Sequence, residues 1–147
     1  MERLDLASDR GKLLRQMIGL DSNILVRYLV QDDPVQSPKT ADVIRKSLTK
    51  AEPGFVSVVA LAETVWVLER SYHFTDSEVA AAVEEILKTD ALHVEHAEEA
   101  FSAMASLKAG LGDFADALIG AIDAQSGCSR TITFDRKALR LPGFELL

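Results

Sequence analysis

From Met17 onward the chain switches repeatedly between short apolar runs and longer stretches in which apolar residues recur at helical spacing. Met17–Leu20 is an apolar run ending at Asp21, the pattern of a buried strand. Asn23–Val30 predicts a helix, closed by the polar break Gln31–Pro34. Ser37 followed by Pro38 predicts an N-cap and a first helical residue, with Ala41, Ile44 and Leu48 behind it at helical spacing. Pro53 and Gly54 mark a turn before a second strand, Phe55–Val58. Ala60–Arg70 reads as a strongly apolar helix. Thr75 and Glu78 form a capping box, opening a helix that lines up Val79, Val83, Ile86 and Leu87 on one face. Ala91–Val94 is a weak third strand. Ala97–Ala109 is a helix stopped by Gly110 and Gly112. Asp113 caps the next helix, which runs to about Gln125 and ends at Gly127. Thr131–Phe134 is a fourth strand ending at Asp135, and Gly143–Leu146 a last short one.

Strands separated by helices predict an α/β fold, a three-layer α/β/α sandwich around a central, mainly parallel sheet. Sites in such sheets form just beyond the carboxyl ends of strands, where Asp21 and Asp135 stand. The pattern also divides the chain. Residues 17–147 form one domain, whereas residues 1–16 carry mixed charges and no strand pattern, and read as an N-terminal extension without an assigned role.

Composition changes this picture little. At 147 residues, 48% hydrophobic and 27% charged, the chain has the make-up of one globular domain. No run reaches the roughly 18–20 apolar residues of a membrane span, and the charged first twenty residues do not make a signal peptide. A single cysteine, Cys128, excludes an internal disulfide framework and a cysteine zinc cluster; the expected location is the cytoplasm. The net charge of −7 is unusual for a protein that handles nucleic acid. Without Asp21, Glu63, Asp113, Asp116 and Asp135 the balance becomes −2, and a divalent cation held by those acids would draw a phosphodiester to an acidic protein.

Each of these acids has a plain structural explanation. Asp21 and Asp135 suit helix N-caps. Asp113 suits the cap of the following helix, and Asp116 lies in its first turn, where the helix dipole favours negative charge. Glu63 is harder to explain, because its neighbours Val59, Ala60, Trp66 and Val67 make an apolar helix face. An ionised carboxylate there requires a cation, a hydrogen-bond network or the edge of a cleft. Taken together, two acids at strand ends, one on an apolar face and one at a helix start point to a shared pocket. Crowded carboxylates repel unless a cation lies between them. An all-oxygen donor set suits a hard ion, Mg²⁺ or Mn²⁺, and the matching chemistry is metal-assisted phosphodiester hydrolysis.

The motifs resemble those of the PIN-domain superfamily, and specifically the VapC-like toxin ribonucleases of toxin–antitoxin systems. Met17-Ile18-Gly19-Leu20-Asp21-Ser22-Asn23-Ile24-Leu25-Val26 is similar to the family's first motif, with Ser22 where Thr is commoner. Leu61-Ala62-Glu63 resembles the second. Asp113-Phe114-Ala115-Asp116-Ala117-Leu118-Ile119 resembles the third, and Thr131-Ile132-Thr133-Phe134-Asp135-Arg136-Lys137 the fourth. The resemblance covers Met17 to Leu147 and implies a PIN-like nuclease domain with an acidic quartet of Asp21, Glu63, Asp116 and Asp135. Asp21 and Asp116 would be the principal metal ligands, with Asp135 completing the ion site, often through water. Glu63 would be a ligand or would orient the attacking water. Asn23 and Thr133 would support the carboxylates, and Asp113 is a second-tier candidate from a subgroup pattern. The resemblance further implies an RNA substrate, a homodimer and a small cognate antitoxin that occludes the acidic groove.

Other residues receive weaker readings. Arg136, Lys137 and Arg140 suit either RNA phosphates or a solvated helix surface. His73, His93 and His96 have no spacing that makes a catalytic set. Trp66 reads as core or dimer interface, and Cys128 as a small buried residue. Two alternatives stand beside the nuclease. A HAD-type phosphatase also places Asp after its first strand, but needs an acid–base Asp two residues later, where this chain has Asn23. A non-catalytic PIN-like RNA or protein interaction module would be expected to have lost acids, and all four positions are filled.

Overall fold

The computed structural model describes residues 17–147; the N-terminal extension, residues 1–16, lies outside the described residues. Strands and helices alternate, and the architecture is the expected mixed α/β one, consistent with an α/β/α sandwich. Strand β1 (Ile18–Gly19) leads into α1 (Ser22–Val30) and α2 (Gln36–Asp42), the latter extended by a π-helical turn, Val43–Ser47. Strand β2 (Gly54–Val56) precedes α3 (Val58–Tyr72) and α4 (Asp76–Lys88). Strand β3 (Leu92–Val94) precedes α5 (Ala97–Lys108) and α6 (Phe114–Gln125). Strand β4 (Thr131–Thr133), a 3₁₀ turn at Arg136–Arg140 and β5 (Phe144–Leu146) end the chain.

The parallel sheet has the order β1-β2-β3, with Ile18 opposite Gly54 and Gly54 opposite Leu92. One expectation is modified here. Instead of joining this sheet, β4 pairs with β5 in a separate parallel pair, Thr131 opposite Phe144 and Thr133 opposite Leu146. The central strand explains Gly54: an added Cβ would lie 2.8 Å from the side chains of both Leu20 and Leu48. Apolar faces of α1, α3, α4, α5 and α6, with Ile44 from the π-helical turn after α2, close on one core that includes Leu25, Val56, Leu61, Val83, Ala100 and Phe114.

Helix starts follow side-chain chemistry. Thr75 and Glu78 make the reciprocal capping box read from the sequence. The expected cap at Ser37 is displaced. Asp33 accepts hydrogen bonds from the backbone N–H groups of Val35 and Gln36, so α2 begins before Ser37. Those two bonds hold the Asp33 carboxyl below its ordinary pKa. Pro38 is tolerated as the third helical residue, whose N–H has no partner in the first turn in any case. The second strand stops at Val56 because Ser57 caps α3 through the Ala60 N–H, which moves Val58 into the helix. Cys128, expected to be buried, is exposed. Trp66 is not core either: it is 57% exposed, with the Arg70 guanidinium 5.4 Å from its ring centre. His73 and His96 occupy left-handed positions at helix boundaries, and His93 stacks on Phe55.

Candidate metal centre

The first acidic group is built where β1 passes into α1. Asp21 caps α1, its Oδ1 accepting from the Ser22 N–H at 2.7 Å. Ser22 is the first helical residue and buried, because positions 22, 25 and 26 form the inward face of α1. Its hydroxyl donates to Glu63 Oε1 at 2.5 Å, across 41 residues of sequence. The same Oγ lies 3.4 Å from Asp21 Oδ1, but one hydroxyl proton cannot serve both, and the shorter contact to Glu63 is the bond. Ser22 therefore ties Asp21 and Glu63 into one unit. Glu63 itself is exposed on α3, so the carboxylate placed on an apolar helix face by the sequence is satisfied by Ser22 and by water.

The second group surrounds the start of α6. Asp113 caps this helix through the Asp116 N–H at 2.7 Å. Asp135 lies two residues past β4 and caps the 3₁₀ turn through the Lys137 N–H at 2.9 Å. Thr133 supports that loop, its Oγ1 accepting from the Asp135 N–H at 3.0 Å. Asp116 is half-buried, and its carboxyl pKa is raised above the ordinary value, first by burial and then by the neighbouring charges of Asp113 and Asp135. Glu69 on α3 extends the group: burial, then the charges of Asp113 and Asp76, raise it as well.

The structure thus brings Asp21 together with Glu63, and Asp116 together with Asp113 and Asp135. Asp21, Glu63 and Asn23 line one cavity of about 380 Å³ between α1 and α3; Asp116 and Asp135 are not among its lining residues. Among the described residues no three His, Cys, Asp or Glu side chains stand close enough together to hold a metal ion. The donors nevertheless suit a hard cation of the Mg²⁺ type. Such ions keep several waters and take only one or two protein carboxylates, and a dication would offset both the burial that chiefly raises Asp116 and the neighbouring charges that add to it. Sequence reasoning missed Ser22 as a bridge, although its place one turn before Leu25 and Val26 marked it as inward-facing. It also missed Glu69, which the periodicity of α3 alone does not distinguish from a solvated acid.

No helix among the described residues is long and apolar enough to cross a membrane. Comparison with curated proteins gives no match. A family model described as the PIN domain matches residues 18–143, a span that takes in both acidic groups and every strand but β5. With most of its length matched, and with acids at the strand ends and helix starts of an α/β fold, the chain belongs to the PIN domain family, a fold generally built as a metal-dependent nuclease.

Proposed function

We propose that the protein is a Mg²⁺- or Mn²⁺-dependent endoribonuclease that hydrolyses RNA phosphodiester bonds, and that it is the VapC-like toxin of a toxin–antitoxin pair. The observation that carries the reading is Asp116, whose carboxyl is raised first by burial and then by the charges of Asp113 and Asp135, both of which a bound dication would offset. Asp21, Asp116 and Asp135 would hold that ion, with Glu63 as a further ligand or an orienting group. When bound, the cation neutralises phosphate charge and acidifies water.

The chain's own residues do the rest. Ser22 fixes the Glu63 carboxylate so that one oxygen is occupied and the other is free to orient a water by hydrogen bonding. Asp113 holds the first turn of α6 that carries Asp116, and Thr133 the loop that carries Asp135. Asn23, exposed beside Asp21, offers an amide to a bound phosphate. Val59 and Trp66, 71% and 57% exposed and two turns apart on α3, support a homodimer. A cognate antitoxin and a cytoplasmic location complete the proposal.

The test is cleavage of total RNA in Mg²⁺ or Mn²⁺ by wild type and by Asp21→Asn. The expected result is cleavage that depends on the ion, stops with chelator and is absent from the variant. Equal cleavage by both proteins, or cleavage in chelator, would overturn the assignment. Growth arrest on expression, relieved by a co-expressed partner, tests the toxin role.

A further inference from the structure

The cavity that holds Asp21 and Glu63 does not end with them. It continues between α1 and α3 to Arg27 and Tyr72, with Asn23, Val67 and Ser71 also on its walls. The two helices run side by side in the same direction, since Ser22 meets Glu63 near one end and Arg27 meets Tyr72 near the other. At about 1.5 Å per residue, the step from Asp21 to Arg27 is about 9 Å along α1.

Arg27 is the sole cation among the lining residues, and it is held in place. Its Nε donates to Gln36 Oε1 at 2.9 Å, and its Nη1 donates to Tyr72 Oη at 3.1 Å and faces Asp32 Oδ1 at 3.5 Å. The Tyr72 hydroxyl in turn donates to Asp32 at 3.0 Å. Nη2 makes no hydrogen bond to any described residue, so a pre-ordered guanidinium keeps one nitrogen for a ligand. Beside it stands the half-buried ring of Tyr72, fixed at its hydroxyl end. A fixed cation and a fixed aromatic ring, one helical step from a pair of carboxylates, match what a single-stranded nucleotide presents: a phosphate and an unstacked base.

Resting on the ribonuclease reading above, we propose that this cavity is a substrate subsite that takes the nucleotide flanking the cleaved phosphodiester. Arg27 pairs with its phosphate and the Tyr72 ring carries its base. The anchoring of both side chains in the free protein lowers the ordering cost of binding.

The test uses a short single-stranded RNA that the wild-type protein cuts at one site, and twins with an abasic nucleotide on either side of the cut. For wild type, one abasic position is expected to raise KM about tenfold, the loss of one base stack. Tyr72→Ala raises KM about as much on intact RNA and no further on that twin. Tyr72→Phe keeps the ring and still discriminates against the twin. Arg27→Gln raises KM, leaves kcat within about twofold, and flattens the dependence of log KM on log salt by about 0.7, one phosphate contact on a single strand. Equal KM for intact RNA and both twins on wild type overturns the subsite, even if Tyr72→Ala does not fold. An unchanged salt slope in Arg27→Gln overturns the role of Arg27. If wild type shows no ion-dependent cleavage, the ribonuclease reading fails separately. The same RNAs are then compared by fluorescence anisotropy in metal-free buffer, where equal affinity for intact and abasic strands rejects the cavity as well.

Discussion

Replacing Ser22 by alanine removes one proton donor and little else. The Asp21 cap survives, because it uses the backbone N–H of residue 22 rather than its hydroxyl. What is lost is the bond to Glu63 Oε1 at 2.5 Å. A hydrogen bond to a charged partner contributes about 1.5–3 kcal/mol. Glu63 is exposed, so water replaces the hydroxyl and the loss falls to the low end of that range or below. Alanine in place of serine inside a helix returns a few tenths of a kcal/mol. The net expected loss is about 1 kcal/mol, or a fall in Tm of roughly 3–5 °C for a domain of this size. Catalysis should suffer more than stability, since a carboxylate free to rotate loses its aim. A tenfold loss of kcat corresponds to about 1.4 kcal/mol of transition-state stabilisation. The assay is a thermal double-mutant cycle in metal-free buffer with Ser22→Ala, Glu63→Ala and the double variant, beside single-turnover cleavage; Ser22→Thr restores the hydroxyl and should restore both. A coupling energy indistinguishable from zero, with wild-type cleavage by Ser22→Ala, would refute the bridge.

Asp116→Asn should abolish cleavage while leaving metal-free stability at neutral pH equal to or above wild type. The sign follows from the raised pKa of Asp116. A carboxyl held higher in the folded state than in the unfolded one lowers stability as pH rises through that window, and the penalty vanishes below the unfolded value near 3.9. A pH series of Tm for both proteins should therefore converge in acid and separate above it; a variant less stable than wild type at pH 7 would contradict the crowding. Gly54→Ala should cost about 1–3 kcal/mol in chemical denaturation, because its Cβ meets Leu20 and Leu48 at 2.8 Å in the core; a neutral result would mean that the two leucines move freely. Trp66→Lys should shift a dimer toward monomer in analytical ultracentrifugation, and an unchanged mass distribution would remove α3 as the interface.

Much of the fold was legible because its signals are local. The capping box at Thr75 and Glu78 and the cap at Asp113 each depend on residues within one turn of one another, and each is found in place, whereas the turn expected at Pro53 and Gly54 gives way to strand, Gly54 being the first residue of β2. Ser37 misled because two adjacent caps competed, and Asp33 took the backbone donors first. The partner of β4 was beyond reach, since its pattern states which face is apolar and not which strand lies alongside. The acids were recognisable one by one from strand ends and helix starts. Their grouping was not: Asp21 meets Glu63 through the packing of α1 on α3, Asp135 nears Asp116 where the loop after β4 passes the start of α6, and the bonds of Ser22 to Glu63 and of Arg27 to Tyr72 join residues 41 and 45 apart in sequence.

Asp21, Asp113 and Asp135 each stand at the beginning of a helical segment and accept a backbone N–H there. The partial positive charge of those segment ends offsets some of the anionic load before any ion arrives. On the proposed reading, ion loading and chain folding would be separable events, unlike in small zinc domains that collapse when stripped. An ion-depleted cell would hold an inert but intact reservoir of this protein, ready to be switched on by supply alone and without new synthesis or refolding.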